Sequence, residues 1–143
     1  MDIRPLSDGY AVSPQITPED VPAIAAAGYT TVICNRPDPE NPPDLAAEQL
    51  RAAVEAAGLT FVDNPFNAMT LAPDHVQAQA AAMEAAAGPV LAYCASGNRS
   101  SVVWALSQAG RQPADDLIGA AARHGYQLEG LRSQIEALAA RTG

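Results

Sequence analysis

Apolar residues arrive along this chain in short unbroken blocks, and between the blocks they recur every third or fourth position. YAV (10–12), TTVICN (30–35), LTFVDNPF (59–66) and PVLAYC (89–94) are rich in apolar and β-branched residues without a strict polar alternation, the pattern of strands covered on both faces. Helical spacing fills the intervals. Thr17, Pro18 and Asp20 supply a cap, a proline in the first turn and an early carboxylate for a helix over 18–27, which Gly28 stops. Further helices are predicted over 45–57, 73–87, 100–109 and 113–124, each followed by a glycine, and over 128–140. RPDPENPP (36–43) holds four prolines in eight residues and is predicted to be irregular.

Strand and helix alternate four times before helices finish the chain. The fold class expected is α/β: a central parallel sheet of about four strands flanked by helices, with a helical C-terminus. No repeat or linker divides the sequence, so 1–143 reads as one domain. In sheets of this kind ligands bind beyond the carboxyl ends of the strands. Cys94 stands at such an end.

Composition narrows the chemistry. Sixteen acidic residues face eight arginines and no lysine, giving a net charge of −8, which argues against a nucleic-acid or anionic-membrane partner. No apolar run approaches the ~20 residues of a membrane span, and no signal sequence is evident, so a cytoplasmic protein is expected. Two cysteines make no disulfide framework, and no Cys/His spacing resembles a metal site. No cofactor is implied.

An anionic substrate would need a local positive site, and LAYCASGNRSSVVW (91–104) offers one. Between the strand and the helix, the N–H groups of Ala95, Ser96, Gly97, Asn98 and Ser100 lack regular partners, and a helix N-terminus adds about half a positive charge. Gly97 gives backbone freedom and Arg99 a full charge. Such surroundings favour the ionised form of a thiol, so Cys94 is expected to be a nucleophile with Arg99 as its anion-binding partner and Ser100 as a hydroxyl donor to the sulfur. The alternative is an ordinary buried cysteine before a turn. Bare C-x4-R does not decide; the sequence of apolar strand, cysteine, small residues, arginine and helix favours the functional reading.

On these residues the chain resembles the bacterial DUF442 type, also called beta-lactamase hydrolase-like phosphatase or sulfurtransferase domains, which are similar in fold to dual-specificity phosphatases. The resemblance runs from ITPEDVPAIAAAGYTTVICNRPDPE through GPVLAYCASGNRSSVVWAL to GYQLEGLRSQIEAL, with RPD (36–38) in support. It implies a catalytic cysteine at Cys94 and an anion-coordinating arginine at Arg99.

Two departures bear on the reaction. Dual-specificity phosphatases carry C-x5-R, whereas Cys94 and Arg99 enclose four residues, as in many rhodanese sulfurtransferases; Tyr93 stands where those phosphatases usually have histidine. Phosphoester cleavage also calls for a general acid beyond the third strand, and NPFNAMTLAPDH (64–75) offers only Asp74 and His75, at a helix start. The main expectation is therefore a cysteine-dependent sulfurtransferase carrying a persulfide on Cys94, with a phosphatase acting through phosphocysteine as the alternative and a non-catalytic anion-binding or redox-sensing module as the third reading. The substrate expected is a small anion: thiosulfate, a persulfide or a phosphoester. Cys34 is a candidate resolving thiol, and Arg36 and Asp38 candidate rim residues, each set against a plain structural role. Trp104 and Leu106 read as core, and His124 as a residue at a helix C-terminus.

Overall fold

The computed structural model describes residues 2–142 and contains five strands and six α-helices. In chain order they are β1 (Arg4–Ser7), β2 (Tyr10–Ser13), α1 (Val21–Ala26), β3 (Thr31–Cys34), α2 (Ala47–Ala56), β4 (Thr60–Asp63), α3 (Pro73–Ala85), β5 (Val90–Tyr93), α4 (Asn98–Ser107), α5 (Ala114–Ala122) and α6 (Arg132–Thr142). The sheet order is β1-β2-β5-β3-β4. Four strands are parallel, as the unbroken apolar blocks predict; β1 is an added antiparallel edge. The sequence reading missed β1 because RPLS has no apolar run and contains Pro5, which an edge position tolerates and a central one does not.

Side chains of each central strand divide between two cores. Tyr10, Val12, Ile33, Val90 and Ala92 pack with Trp104 and Ala105 of α4, Leu117 of α5 and Ile135 of α6. Ala11, Val32, Cys34, Leu91 and Tyr93 pack on the other face with Val21 and Ile24 of α1 and Leu50 and Val54 of α2. Burial on both faces removes any pressure for a polar alternation. Each fully buried Val, Leu or Ile contributes roughly 1.5–3 kcal/mol. Trp104 lies in the core as expected, its ring 6.0 Å from that of Tyr10. His124 does more than end a helix: its Nε2 meets Pro5 O at 2.8 Å, tying the end of α5 to the edge strand.

The proline-rich segment forms two 3-10 turns, Asp38–Glu40 and Pro43–Leu45, rather than wholly irregular chain. Proline fixes φ near the value such turns use. The register matters most for function. Ser13, Tyr93, Cys34 and Asp63 are aligned across β2, β5, β3 and β4, so the segments 14–17, 94–97, 35–46 and 64–72 all leave the sheet at one edge.

Candidate active site

Cys94 follows β5 directly and is held by the neighbouring strand: its N–H donates to Ser13 O at 3.4 Å, and Ala95 O accepts from Gln15 N at 3.3 Å. The chain then has three residues in which to reach α4. Gly97 makes the turn with φ 96° and ψ −10°, a left-handed conformation that favours glycine, and serves as N-cap of α4. A Cβ there would lie 2.1 Å from Tyr126 Oη. That phenol buttresses the loop, donating to Ser96 O at 2.8 Å while accepting from Arg4 Nη1 at 2.6 Å.

The turn aims the Gly97 N–H at Cys94 Sγ, 3.1 Å away. Cys94 is fully buried, so its sulfur lies beneath the loop with a backbone donor on it. Asn98 N–H is capped by Ser96 Oγ at 3.3 Å. Geometry leaves the next amides, of Arg99 and Ser100, without intrahelical acceptors, at the positive end of the α4 dipole.

Arg99 folds over this loop. Its Nη1 donates to Phe66 O at 3.2 Å and to Glu40 Oε2 at 2.8 Å, and its Nη2 donates to Glu40 Oε1 at 2.7 Å. The guanidinium is held above its usual pKa, first by the Glu40 hydrogen bond and further by the neighbouring Cys94. Glu40 is held below the usual carboxylate range by Arg99 and, more weakly, Arg36. Arg36 bonds Glu40 O at 3.0 Å and Gln15 Oε1 at 3.2 Å. A fork-on-fork carboxylate thus sits on the arginine expected to bind an oxyanion. Glu40 escaped the sequence reading because only the fold brings its turn to residue 99.

Ser100 departs from expectation. Its hydroxyl donates to Asn35 Oδ1 at 2.9 Å, not to the sulfur. Asn35, at the end of β3, joins a buried amide network: its Nδ2 donates to Gln79 Oε1 and Asn64 O, both at 3.0 Å, and Gln79 Nε2 donates to Asn35 Oδ1 and Tyr10 Oη at 3.2 and 3.0 Å. Asn64 Nδ2 donates to Gln79 Oε1 at 2.9 Å, and Tyr10 Oη donates to Ser100 O at 2.9 Å. Both Asn35 and Gln79 are satisfied at oxygen and nitrogen, the condition under which buried polar groups stiffen a site. The first turn of α4 is thereby fixed to β2, β3 and α3. Asn35 and Asn64 look like ordinary strand ends in the sequence, and Gln79 like one polar residue of an alanine-rich helix.

Two other expectations are corrected. Asp38 is not a rim residue: its Oδ1 accepts Ala47 N at 2.8 Å and caps α2. Cys34 pairs in register with Tyr93, and both side chains lie in the α1/α2 core, whereas Cys94, one position further along, presents its sulfur to Gly97 at the start of α4. A disulfide between them would have to reach around the sheet, and both thiols are free. Burial pushes the Cys34 thiol up to about 11, and its Sγ donates to Arg36 O at 3.3 Å. Tyr93 is likewise pushed up, first by burial.

The 64–72 segment brings Asn64 and Phe66 to the site edge but no carboxylate. Asp74 is exposed in the first turn of α3. His75 is committed to that helix start, its Nδ1 accepting from Ala72 N at 3.0 Å and its ring 5.4 Å from Phe66.

Three comparisons extend this geometry. Residues 2–111 match the family model described as beta-lactamase hydrolase-like protein, phosphatase-like domain. A beta-lactamase hydrolase-like protein of Agrobacterium fabrum is 32% identical over 111 residues, covering 76% of this chain and 26% of that protein, so the chain spans about a quarter of this relative's length. A phosphatase-like protein of Neisseria meningitidis Z2491 superposes with a TM-score of 0.82 at 34% identity, over 96% of this chain and 99% of that one. The active form of Tk-PTP shares the fold, with a TM-score of 0.73 at 17% identity over 97% of each chain. The cysteine-loop architecture and the sequence match converge, and the chain belongs to the family of the phosphatase-like domain of beta-lactamase hydrolase-like proteins.

Proposed function

We propose that this protein is a cysteine-dependent phosphatase acting through a phosphocysteine on Cys94. The single observation that carries the reading is the loop in which Gly97 N–H meets Cys94 Sγ while Arg99 covers the same turn, in a fold and family of phosphatase-like proteins. The sulfur attacks phosphorus, the P–S bond forms as the ester P–O bond breaks, and the oxygen of the leaving group takes the electron pair. Water then cleaves the P–S bond, releasing inorganic phosphate and returning the sulfur. Arg99 and the first-turn amides of α4 bind the phosphoryl oxygens as charge shifts among them. This ordering reverses the expectation from spacing alone, because family and fold favour the phosphatase over the sulfurtransferase.

The 64–72 segment places no carboxylate to protonate the leaving oxygen. General-acid help is worth about 10²–10⁴-fold, so turnover should depend steeply on how good an anion the leaving group is. p-Nitrophenyl phosphate should be hydrolysed readily and alkyl phosphates slowly, with loss of both activities in Cys94→Ser. Trapping a phosphorylated Cys94 peptide by rapid acid quench and mass spectrometry tests the intermediate. A wild type inert to aryl phosphates would overturn the reading.

The missing carboxylate and the C-x4-R spacing favour sulfur transfer as a second reading. There the Cys94 sulfur attacks the outer sulfur of thiosulfate, sulfite leaves with its electron pair, and cyanide accepts the sulfur from the persulfide as thiocyanate. Thiocyanate formation without aryl phosphate hydrolysis would favour it. Sulfate or phosphate binding with neither activity would instead favour a non-catalytic anion-binding module.

A further inference from the structure

A groove of about 1030 Å³ opens beside the Cys94 loop, with α4 along its floor and α3 and α6 as its walls. Val76 and Ala80 line it from α3, Val102 and Leu106 from α4, and Leu131 and Leu138 from the far side. Asn98 and Arg99 belong both to the loop and to this lining, so the groove begins where the candidate site ends. Its volume is at the top of the range of small-molecule pockets, which are mostly apolar with a few placed polar groups.

Its charge is unlike that of the rest of the chain. Sixteen of the 143 residues are acidic, yet none lines the groove, whereas three of the eight arginines do: Arg99 at the site end, and Arg111 and Arg141 elsewhere along it. Arg99 is paired with Glu40 and Arg111 with Glu84, carboxylates that stand outside the lining. The nearby 64–72 segment contributes Ala68 and Leu71 and also carries Met69, the one large hydrophobic side chain fully exposed among the described residues, at 93%.

We propose that this groove receives the apolar body of an anionic amphiphile, a phosphomonoester whose phosphate is held by the Cys94 loop and Arg99. The inference rests on the phosphatase reading for the head group alone. A phosphate seated over the first turn of α4 directs its ester substituent either to water or along the groove that Arg99 itself lines. An extended apolar substituent gains the second course, because its burial removes both its own surface and that of Val76, Val102 and Leu138 from water. A short or strongly acidic substituent gains nothing there. This predicts selection by chain length and lipophilicity at a site whose anion contacts are common to all phosphomonoesters.

Calorimetric binding to full-length Cys94→Ser separates the groove from the chemistry. Octyl phosphate, kept below micelle formation, should bind roughly tenfold or more tightly than methyl phosphate. Ala80→Trp should fill the groove and erase that advantage while leaving methyl phosphate unchanged. Gln134→Trp, at an exposed position on the α6 wall, supplies a second obstruction that leaves the core alone. Equal affinity for the two phosphates, or a chain-length advantage that survives both tryptophans, would overturn the proposal; so would a concentration-dependent dimer abolished by Gln134→Trp, which would assign the groove to a second copy. Chain-length selection without wild-type turnover would sink the phosphatase reading and leave the groove intact. Turnover of aryl phosphates with equal binding of methyl and octyl phosphates would do the reverse.

Discussion

Cys34 and Cys94 end neighbouring parallel strands, only one register position apart, and meet opposite surroundings. Cys34 turns toward α1 and α2, where its thiol donates to a carbonyl and its neighbours are a buried phenol and the Asp63 carboxylate, whose pKa is raised first by partial desolvation. Cys94 turns under the start of α4, where an amide donates to its sulfur and a guanidinium stands close by. A place at the carboxyl end of a parallel strand, burial and residue type are shared. The difference lies in what the chain does next: after Cys34 it enters proline turns, whereas after Cys94 it passes through a left-handed glycine into a helix whose first amides converge. The surroundings of each sulfur in this fold are set by the following turn more than by the cysteine.

The contrast is sharpest at Cys94, the proposed nucleophile. Cys94→Ser should lower p-nitrophenyl phosphate turnover by roughly three orders of magnitude or more, and Cys34→Ser by less than about twofold; comparable losses in steady-state assays would erase the distinction. Gly97→Ala attacks the turn that creates it. Backbone strain at φ 96° adds to a collision with Tyr126 Oη, so unfolding in denaturant should show a loss of about 2–4 kcal/mol, accompanied by loss of activity. Gln79→Leu removes one hydrogen-bond partner each from Asn35, Asn64 and Tyr10 and should cost about 1–3 kcal/mol in the same measurement, with catalysis falling more than stability alone explains.

Glu40→Gln should act on the other side of the site. With the carboxylate gone, Arg99 loses its internal anion, and inhibition by inorganic phosphate should tighten several-fold. An unchanged inhibition constant would show that Glu40 does not compete with bound anions. The smallest effect concerns pH. Burial raises the Cys34 thiol from about 9 to about 11, so above pH 9 the unfolded chain releases a proton that the folded chain retains, and stability falls as pH rises through this window. Cys34→Ala should flatten that decline in thermal melts, and iodoacetamide should spare Cys34 in the folded protein until the pH approaches 11.

Elements whose signal lies within a few residues were legible in the sequence. Blocks such as TTVICN and PVLAYC end where the strands deliver the site, and Gly28, Gly58 and Gly125 mark helix ends. The cysteine, glycine and arginine of the loop stand out in the sequence because their spacing along one turn is itself the geometry. Contacts between distant segments were not legible. Nothing in PDPE signals that Glu40 lies across the loop from Arg99, and Tyr126 is 30 residues from the Ser96 carbonyl that it supports. Ser100 was misassigned because its competing acceptor, Asn35, is 65 residues away and becomes a neighbour only when the parallel strands align.

The phenol of Tyr126 carries a consequence for dissecting the protein. The family model matches residues 2–111, a segment that includes Cys94, Arg99 and the whole of the turn between them. The hydroxyl bracing that turn is supplied from beyond this boundary and is anchored in turn by Arg4, near the opposite terminus. A fragment trimmed to residues 2–111 would therefore keep the whole cysteine loop and lose the clamp that braces it, so minimal versions of this domain should extend at least through the aromatic residue that follows α5.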